Sequence, residues 1–143
     1  MLFRSTVFSV VFNNFSFNPN RSNLATAGQD FSLGTVTVTG VYDFFYNSSA
    51  SYAQTGFGAN VNGVPLPIAY SPKDLVYQFP LQMGDVDTSE SGYQVDLTST
   101  VGLFFQVNRT RVNEVDGWGT LITPYGTHDV LRIKTTVRER DSV

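Results

Sequence analysis

The run GDVDTSESGYQVD, residues 84–96, concentrates carboxylate and hydroxyl oxygens at two-residue spacing. Asp85, Asp87 and Ser89 repeat the first three alternating ligands of a calcium loop, in which hard oxygen donors surround a hard cation. The pattern then departs from that loop. Glu90 stands where its sharp turn requires glycine, and Asp96 stands at the closing position. Asp85, Asp87, Ser89 and Asp96 are thus the candidate metal ligands, with calcium the one cofactor in view. The competing reading of this stretch is a solvated connection between two strands.

His128 is the sole histidine and is followed by Asp129, a pairing that suggests acid–base work. Neighbouring residues on a strand point to opposite faces, so these two side chains would not meet. Glycoside hydrolysis requires two carboxyls about 5 to 10 Å apart across a cleft. Asp85, Asp87, Glu90, Asp96, Glu114 and Asp116 are the available acids, and most of them fall in expected loops. The absence of cysteine removes disulfides, thiolate metal sites and cysteine nucleophiles. The sequence nominates no catalytic residue, and the expectation is a protein that is not an enzyme.

A third group is aromatic. In YDFFYNSSASY, residues 42–52, Tyr42, Phe44 and Tyr46 share one face of a strand and Phe45 takes the other with Val41. Both faces being apolar implies burial on two sides, or a second face that meets a ligand. Tyr42, Phe44, Tyr46 and Phe57 are accordingly the candidate platform for a carbohydrate or hydrophobic ligand, with core packing as the plainer reading.

The elements that carry these residues read as strands. Period-two alternation appears in TVTVT (35–39), in LFFQV (103–107), where Leu103, Phe105 and Val107 share a face before Arg109, and in residues 130–138. In the last of these Leu131, Ile133 and Val137 are expected inward, with Arg132, Lys134 and Thr136 outward. Shorter candidates lie at 6–12, 41–46, 51–57, 74–79 and 92–97. Turn residues separate them at Asn18-Pro19-Asn20, Asn62-Gly63, Ser71-Pro72, Ser91-Gly92 and Asp116-Gly117. Residues 118–138 form a hairpin about Pro124-Tyr125-Gly126, and Gly119 leaves room for the Trp118 indole or marks a bulge. The only helical candidate is a single turn at 22–29, with Ser22 as its cap. The expected fold is one all-β domain, a mostly antiparallel meander forming a sandwich or a curved half-barrel.

Totals narrow the function classes. Charged residues make up 15% of 143, well under the roughly 25% of an average soluble domain. The net charge is −3, and the few basic residues gather between Arg109 and Arg140, which does not suit a nucleic-acid partner. No apolar run approaches the ~20 residues needed for a transmembrane helix. The opening MLFRSTVFSVVFNNF is interrupted by Ser5, Thr6 and Ser9 and reads as a strand. That terminus, residues 1–17, is also a candidate for self-association by strand addition.

Two segments carry a family resemblance. RVNEVDGWGTLITPYGTHDVLRIKT (111–135) and GFGANVNGVPLPIAYSPKDLVYQFPLQMGDVDTSESGYQVDL (56–97) resemble a family of secreted Bacteroidota proteins. Those carry a signal peptide, a β-rich region like this one, and a C-terminal sorting domain for type IX secretion. The shared marks are Phe79-Pro80-Leu81, Val115-Asp116-Gly117-Trp118-Gly119-Thr120-Leu121, and Pro124-Tyr125-Gly126-Thr127 before Val130-Leu131-Arg132-Ile133-Lys134. The usual turn of that family has phenylalanine at position 125 and phenylalanine or tyrosine at position 128. The resemblance implies the body of a longer precursor, secreted or at the cell surface. It implies an address more than an activity. A looser similarity, to the half-barrels of LolA-like lipoprotein carriers, implies acyl-chain binding.

Three expectations follow. The first is a non-catalytic exported β module for binding, adhesion or structural assembly, with a carbohydrate, lipid or protein ligand. The second is a hydrophobic-ligand carrier. The third is a polysaccharide-acting hydrolase.

Overall fold

Alternating β-branched, aromatic and threonine side chains favour a pleated, half-buried backbone. The computed structural model describes Phe15, residues 21–98 and residues 103–142. Eight strands follow in chain order: β1 (Leu24–Ala27), β2 (Phe31–Leu33), β3 (Val36–Asn47), β4 (Ser51–Val61), β5 (Val64–Gln78), β6 (Val86–Leu97), β7 (Leu103–Thr123) and β8 (Gly126–Ser142). The larger sheet runs β1-β3-β4-β5 with β2 also on β3, and the smaller runs β6-β7-β8. Every pairing is antiparallel, and neither sheet closes into a barrel. The all-β expectation holds. Among the described residues no helix is long and apolar enough to cross a membrane.

Two turns form where the sequence places them. Asn62 (φ 49°) and Gly63 (φ 84°) close the β4–β5 hairpin, both left-handed, as a two-residue turn between right-twisted strands requires. Asn62 Oδ1 also accepts the Thr37 N–H at 2.8 Å, pinning the turn to β3. At the β7–β8 turn, Thr123 lies opposite Gly126 with Pro124 and Tyr125 between them. The Thr123 hydroxyl donates to the Gly126 carbonyl (3.1 Å) and accepts the Tyr125 N–H (3.2 Å).

Other breakers sit inside strands, contrary to the sequence reading. Ser71-Pro72, a cis peptide, belongs to an excursion of β5: Gln54 pairs with Asp74 and Gly56 with Ala69, so residues 70–73 face Thr55 alone. Proline fits there because the chain has left the ladder and needs no N–H. Gly92 lies within β6, where a Cβ would come 2.7 Å from the Val107 carbonyl oxygen. Gly117 follows a bulge in β7, the register shifting between Val115 and Gly117. The acidic run 84–96 is strand from Val86 onward rather than a connection, and residues 24–27 are strand rather than a helical turn. The expected strand 6–12, the Asn18-Pro19-Asn20 turn and, apart from Phe15, the self-associating segment 1–17 lie outside the described residues.

The larger sheet carries aromatic packing on both of its faces. On one, Phe44 packs edge-on to Phe15 at 6.0 Å, with Ala25 and Tyr42 alongside. On the other, Phe57 meets Tyr70 and Tyr93 edge-on, and Tyr70 stacks on Tyr93 at 5.0 Å, carrying aromatic packing from the larger sheet to the smaller. Gly58 makes the first arrangement possible, because a Cβ there would lie 2.5 Å from the Phe15 ring. Gly58→Ala should therefore overpack this site and cost about 1–3 kcal/mol. Thermal unfolding followed by circular dichroism checks it, and adding Phe15→Leu should recover part of the loss.

Candidate binding surface and the joint that supports it

The edge of β5 lies against β6 and, less extensively, β7. A sheet edge buried in this way needs donors for its free carbonyls, and an acid buried with it needs cations. The smaller sheet supplies both from one face. Residues 87, 89 and 91 of β6 register with 113, 111 and 109 of β7, so these side chains share a face. Ser89 Oγ donates to the Leu75 carbonyl at 3.1 Å, and Asn113 Nδ2 to the Val76 carbonyl at 2.8 Å. Val76 is the extra residue of a register shift, since Tyr52 pairs with Tyr77 and Ala53 with Leu75.

Asp74 is fully buried at the centre of this contact. Arg111 binds it through two hydrogen bonds, Nε to Oδ1 at 2.9 Å and Nη2 to Oδ2 at 2.8 Å. Arg109 Nη1 donates to Oδ2 at 2.6 Å, while its Nε donates to Glu139 of β8 at 2.6 Å. The Arg109 guanidinium also lies 5.8 Å from the Tyr70 ring centre. Burial raises the Asp74 pKa, but the hydrogen bonds and charges of the two arginines outweigh it and hold the carboxyl below its ordinary value of 3.8. Nearby Asp43 moves the other way. Its burial raises the pKa, tempered by the Arg109 charge and a hydrogen bond from Gln54. Burial pushes Tyr70 up to about 12, with the Arg109 charge pulling it down. Both oxygens of Asp74 are engaged by guanidinium groups, which fits a structural joint rather than proton transfer.

The residues singled out from the sequence distribute differently. Asp87 and Ser89 face the joint, where Asp87 Oδ2 lies 3.5 Å from Asn113 Nδ2. Asp85 accepts the Gln82 N–H at 2.7 Å, and Asp96 accepts both the Thr98 N–H and its hydroxyl. With β6 extended at about 3.3 Å per residue, Asp87 and Asp96 stand about 30 Å apart. The calcium-loop arrangement of Asp85, Asp87, Ser89 and Asp96 is not formed, because the polar alternation that imitates a loop belongs to a strand. His128 is exposed opposite Leu121, and Asp129 pairs instead with Thr120 on the other face. Phe44 is fully buried and Phe57 packs within the aromatic bridge, so neither offers a ring face to a ligand. Tyr42 belongs to the Phe44 cluster, and the Lys73 ammonium stands 5.4 Å over the Tyr46 ring.

The uncovered surface lies elsewhere. Strand β6 ends where Val86 pairs with Glu114, while β7 and β8 continue as a two-stranded arm to the Pro124-Tyr125 turn. On this arm Trp118 and Ile122 are each 79% exposed and Tyr125 is 96% exposed, with Leu121 and Val130 also open. Gly117 and Gly119 floor a shallow groove of about 350 Å³, walled by Leu121, Val130 and Arg132. Arg132 is held at 2.7 Å by Asp116. The alternation of residues 130–138 puts Leu131, Ile133 and Val137 inward. In the fold, 16 of the 17 residues of β8 are exposed and only Ile133 is half-buried. The arginine pair was also missed, although a signal was present: Arg109 and Arg111 continue the inward parity of Phe105 and Val107.

Comparison with protein-family models, with curated proteins and with solved structures finds no match.

The joint has a pH signature. A carboxyl whose pKa is depressed by folding stabilises the fold above its unfolded pKa of about 3.9, and that stability is lost as pH falls through the folded pKa. Asp74→Asn leaves two cations without their anion and should cost about 3–5 kcal/mol near neutral pH. Urea unfolding at pH 7 and at pH 3 should show this penalty shrinking at the lower pH, where the wild type is losing the same interaction.

Proposed function

We propose that this chain is a non-catalytic, exported or cell-surface β module that binds a partner protein through its β7–β8 arm. The observation that carries the reading is the arm itself. Large apolar side chains stand open on both of its faces, and no described element covers them. Contiguous exposed apolar surface on an otherwise packed domain marks an interaction site, and exposed tryptophan and tyrosine are its usual anchors. Low charge and the resemblance to secreted proteins support the exported location.

The two other readings have less support. A carrier needs an open apolar interior, whereas the space around Phe44 and Phe57 is filled by Phe15, Tyr70 and Tyr93. A glycoside hydrolase needs a free acid pair, and the most buried acid is occupied by Arg109 and Arg111. Calcium has no role in this reading.

The test uses immobilised chain and solubilised envelope proteins from cells of its source, beside a Trp118→Ser/Ile122→Ser variant of matched circular dichroism. Wild type should retain a partner that the variant releases at least tenfold more readily, and chromogenic glycosides should remain uncut by both. Equal retention by the two proteins would remove the arm from the mechanism. Hydrolysis by either would replace binding with catalysis.

A further inference from the structure

Beyond the apolar arm, β8 offers a second feature, its backbone edge. It pairs with β7 on one side, and among the described residues no strand or loop bonds to the other. Every second residue of this 17-residue strand therefore directs an N–H and a C=O away from the sheet. Long free edges are normally blunted by proline, by bulges, by a covering element or by charged side chains, and charge is the one of these that β8 carries. β8 contains no proline, its ladder with β7 is bulged only on the β7 side, and both of its faces are open.

Its side chains sort by face. Leu131, Ile133 and Val137 lie on one, continuing the exposed Trp118, which registers with Leu131. Arg132, Lys134, Arg138 and Arg140 lie on the other. Asp116 holds Arg132, and Glu114 reaches Lys134 at 3.7 Å. Arg138 and Arg140 have no carboxylate partner among the described residues. They line a groove of about 410 Å³ with Arg109, Asn108, Thr110 and Pro72, and Glu90 is the one acid of its lining.

This charge pattern argues against a second copy as the occupant. A two-fold dimer pairing β8 with β8 must place like residues about an axis. An axis at 133 opposes Arg132 to Lys134, and an axis at 134 opposes Lys134 to itself. At 135 Arg132 meets Arg138, at 136 Lys134 meets Arg138, and at 137 Lys134 meets Arg140. Each central register puts like charges directly opposite, which destabilises a strand pair. A strand carrying acids on that face meets the reverse situation.

We propose that the free edge of β8 accepts an extended acidic segment of a partner protein as a fourth strand of the smaller sheet. The partner's carboxylates pair with Arg138 and Arg140. Its alternate apolar residues lie beside Leu131, Ile133 and Val137, and backbone hydrogen bonds supply the remaining affinity. This rests on the binding-module reading and names the chemistry of the partner.

The probes are ten-residue capped peptides of alternating Glu and Val, of alternating Lys and Val, and a Glu/Val peptide N-methylated at alternate residues. The full chain should bind the Glu/Val peptide about tenfold more tightly than the Lys/Val peptide, and the N-methylated form at least tenfold more weakly than its parent. Hydrogen exchange should show new protection at alternate amides of β8. The Arg138→Glu/Arg140→Glu variant should remain folded and reverse the preference between the first two peptides. Failure of the Glu/Val peptide to bind folded wild type, an unchanged preference in the variant, or protection confined to other strands would each overturn the proposal. Retention of an envelope partner through Trp118 alongside such a failure would leave the binding module standing without its β8 edge. Loss of both would remove the two together.

Discussion

One buried carboxylate, Asp74, decides how the two sheets of this protein meet. A fully buried acid without cations would be expelled or protonated, so β5 can lie against the smaller sheet only where Arg109 and Arg111 converge. Ser89 and Asn113 then satisfy β5 carbonyls in the same contact. The contact is polar, directional and narrow. It resembles a keyed joint more than the broad apolar interface of two stacked sheets, and its geometry leaves few alternative registers. Charge pairs of this kind contribute more to the uniqueness of an arrangement than to its net stability. The stability comes from the aromatic bridge of Phe57, Tyr70 and Tyr93 beside it.

The joint also explains the lopsided exposure of the smaller sheet. Its covered ground is the region of β6 and β7 that meets β5, and β8 joins through Glu139 on Arg109 and through the Thr135 hydroxyl, which donates to Asn113 at 2.8 Å. Beyond Glu114, β7 has no β6 beside it, so the hairpin from Asp116 to Arg132 extends free of the sheet. A two-stranded ribbon in water is marginal without added contacts. Here cross-strand pairs provide some, including Arg132 with Asp116 and Trp118 opposite Leu131.

The fold class was legible because period-two alternation is a local signal, and the Asn62-Gly63 and Pro124-Tyr125 turns declare their backbone needs directly. What escaped was whatever depends on the third dimension. Gly92 and Ser71-Pro72 look like turn punctuation in one dimension, yet they serve a close strand contact and an excursion from a ladder. The run at 84–96 looked like a loop because β6 from Asp87 to Ser91 is polar on both faces, one of them toward a polar joint. Tyr42, Phe44, Tyr46 and Phe57 suggested a ligand platform, since sequence cannot show that Phe15 or Tyr93 already occupies the opposing space. Asp74 was only one acid among twelve until its arginines were placed beside it.

A long edge that no described strand covers and an apolar arm are hazards for a protein that acts alone, because each invites unspecific pairing. Their chemistry here limits that hazard in a particular way. Cations at 132, 134, 138 and 140 oppose pairing with an identical strand while leaving the backbone donors and acceptors free. Proline or a bulge in β8 would have closed the edge to every strand, whereas charge closes it selectively. Selective closure is what recognition of a distinct partner requires: repulsion of self, and attraction for the complementary sign. The ion pairs of Arg109, Arg132 and Lys134 are internal, and among the described residues Arg138 and Arg140 pair with no carboxylate, so the cations left for a partner in the proposed mode lie at one end of the strand. The apolar anchors Trp118, Ile122 and Tyr125 lie at the other end. In the proposed binding mode, affinity and discrimination fall to separate parts of one hairpin, and the buried joint on Asp74 holds the base from which both extend.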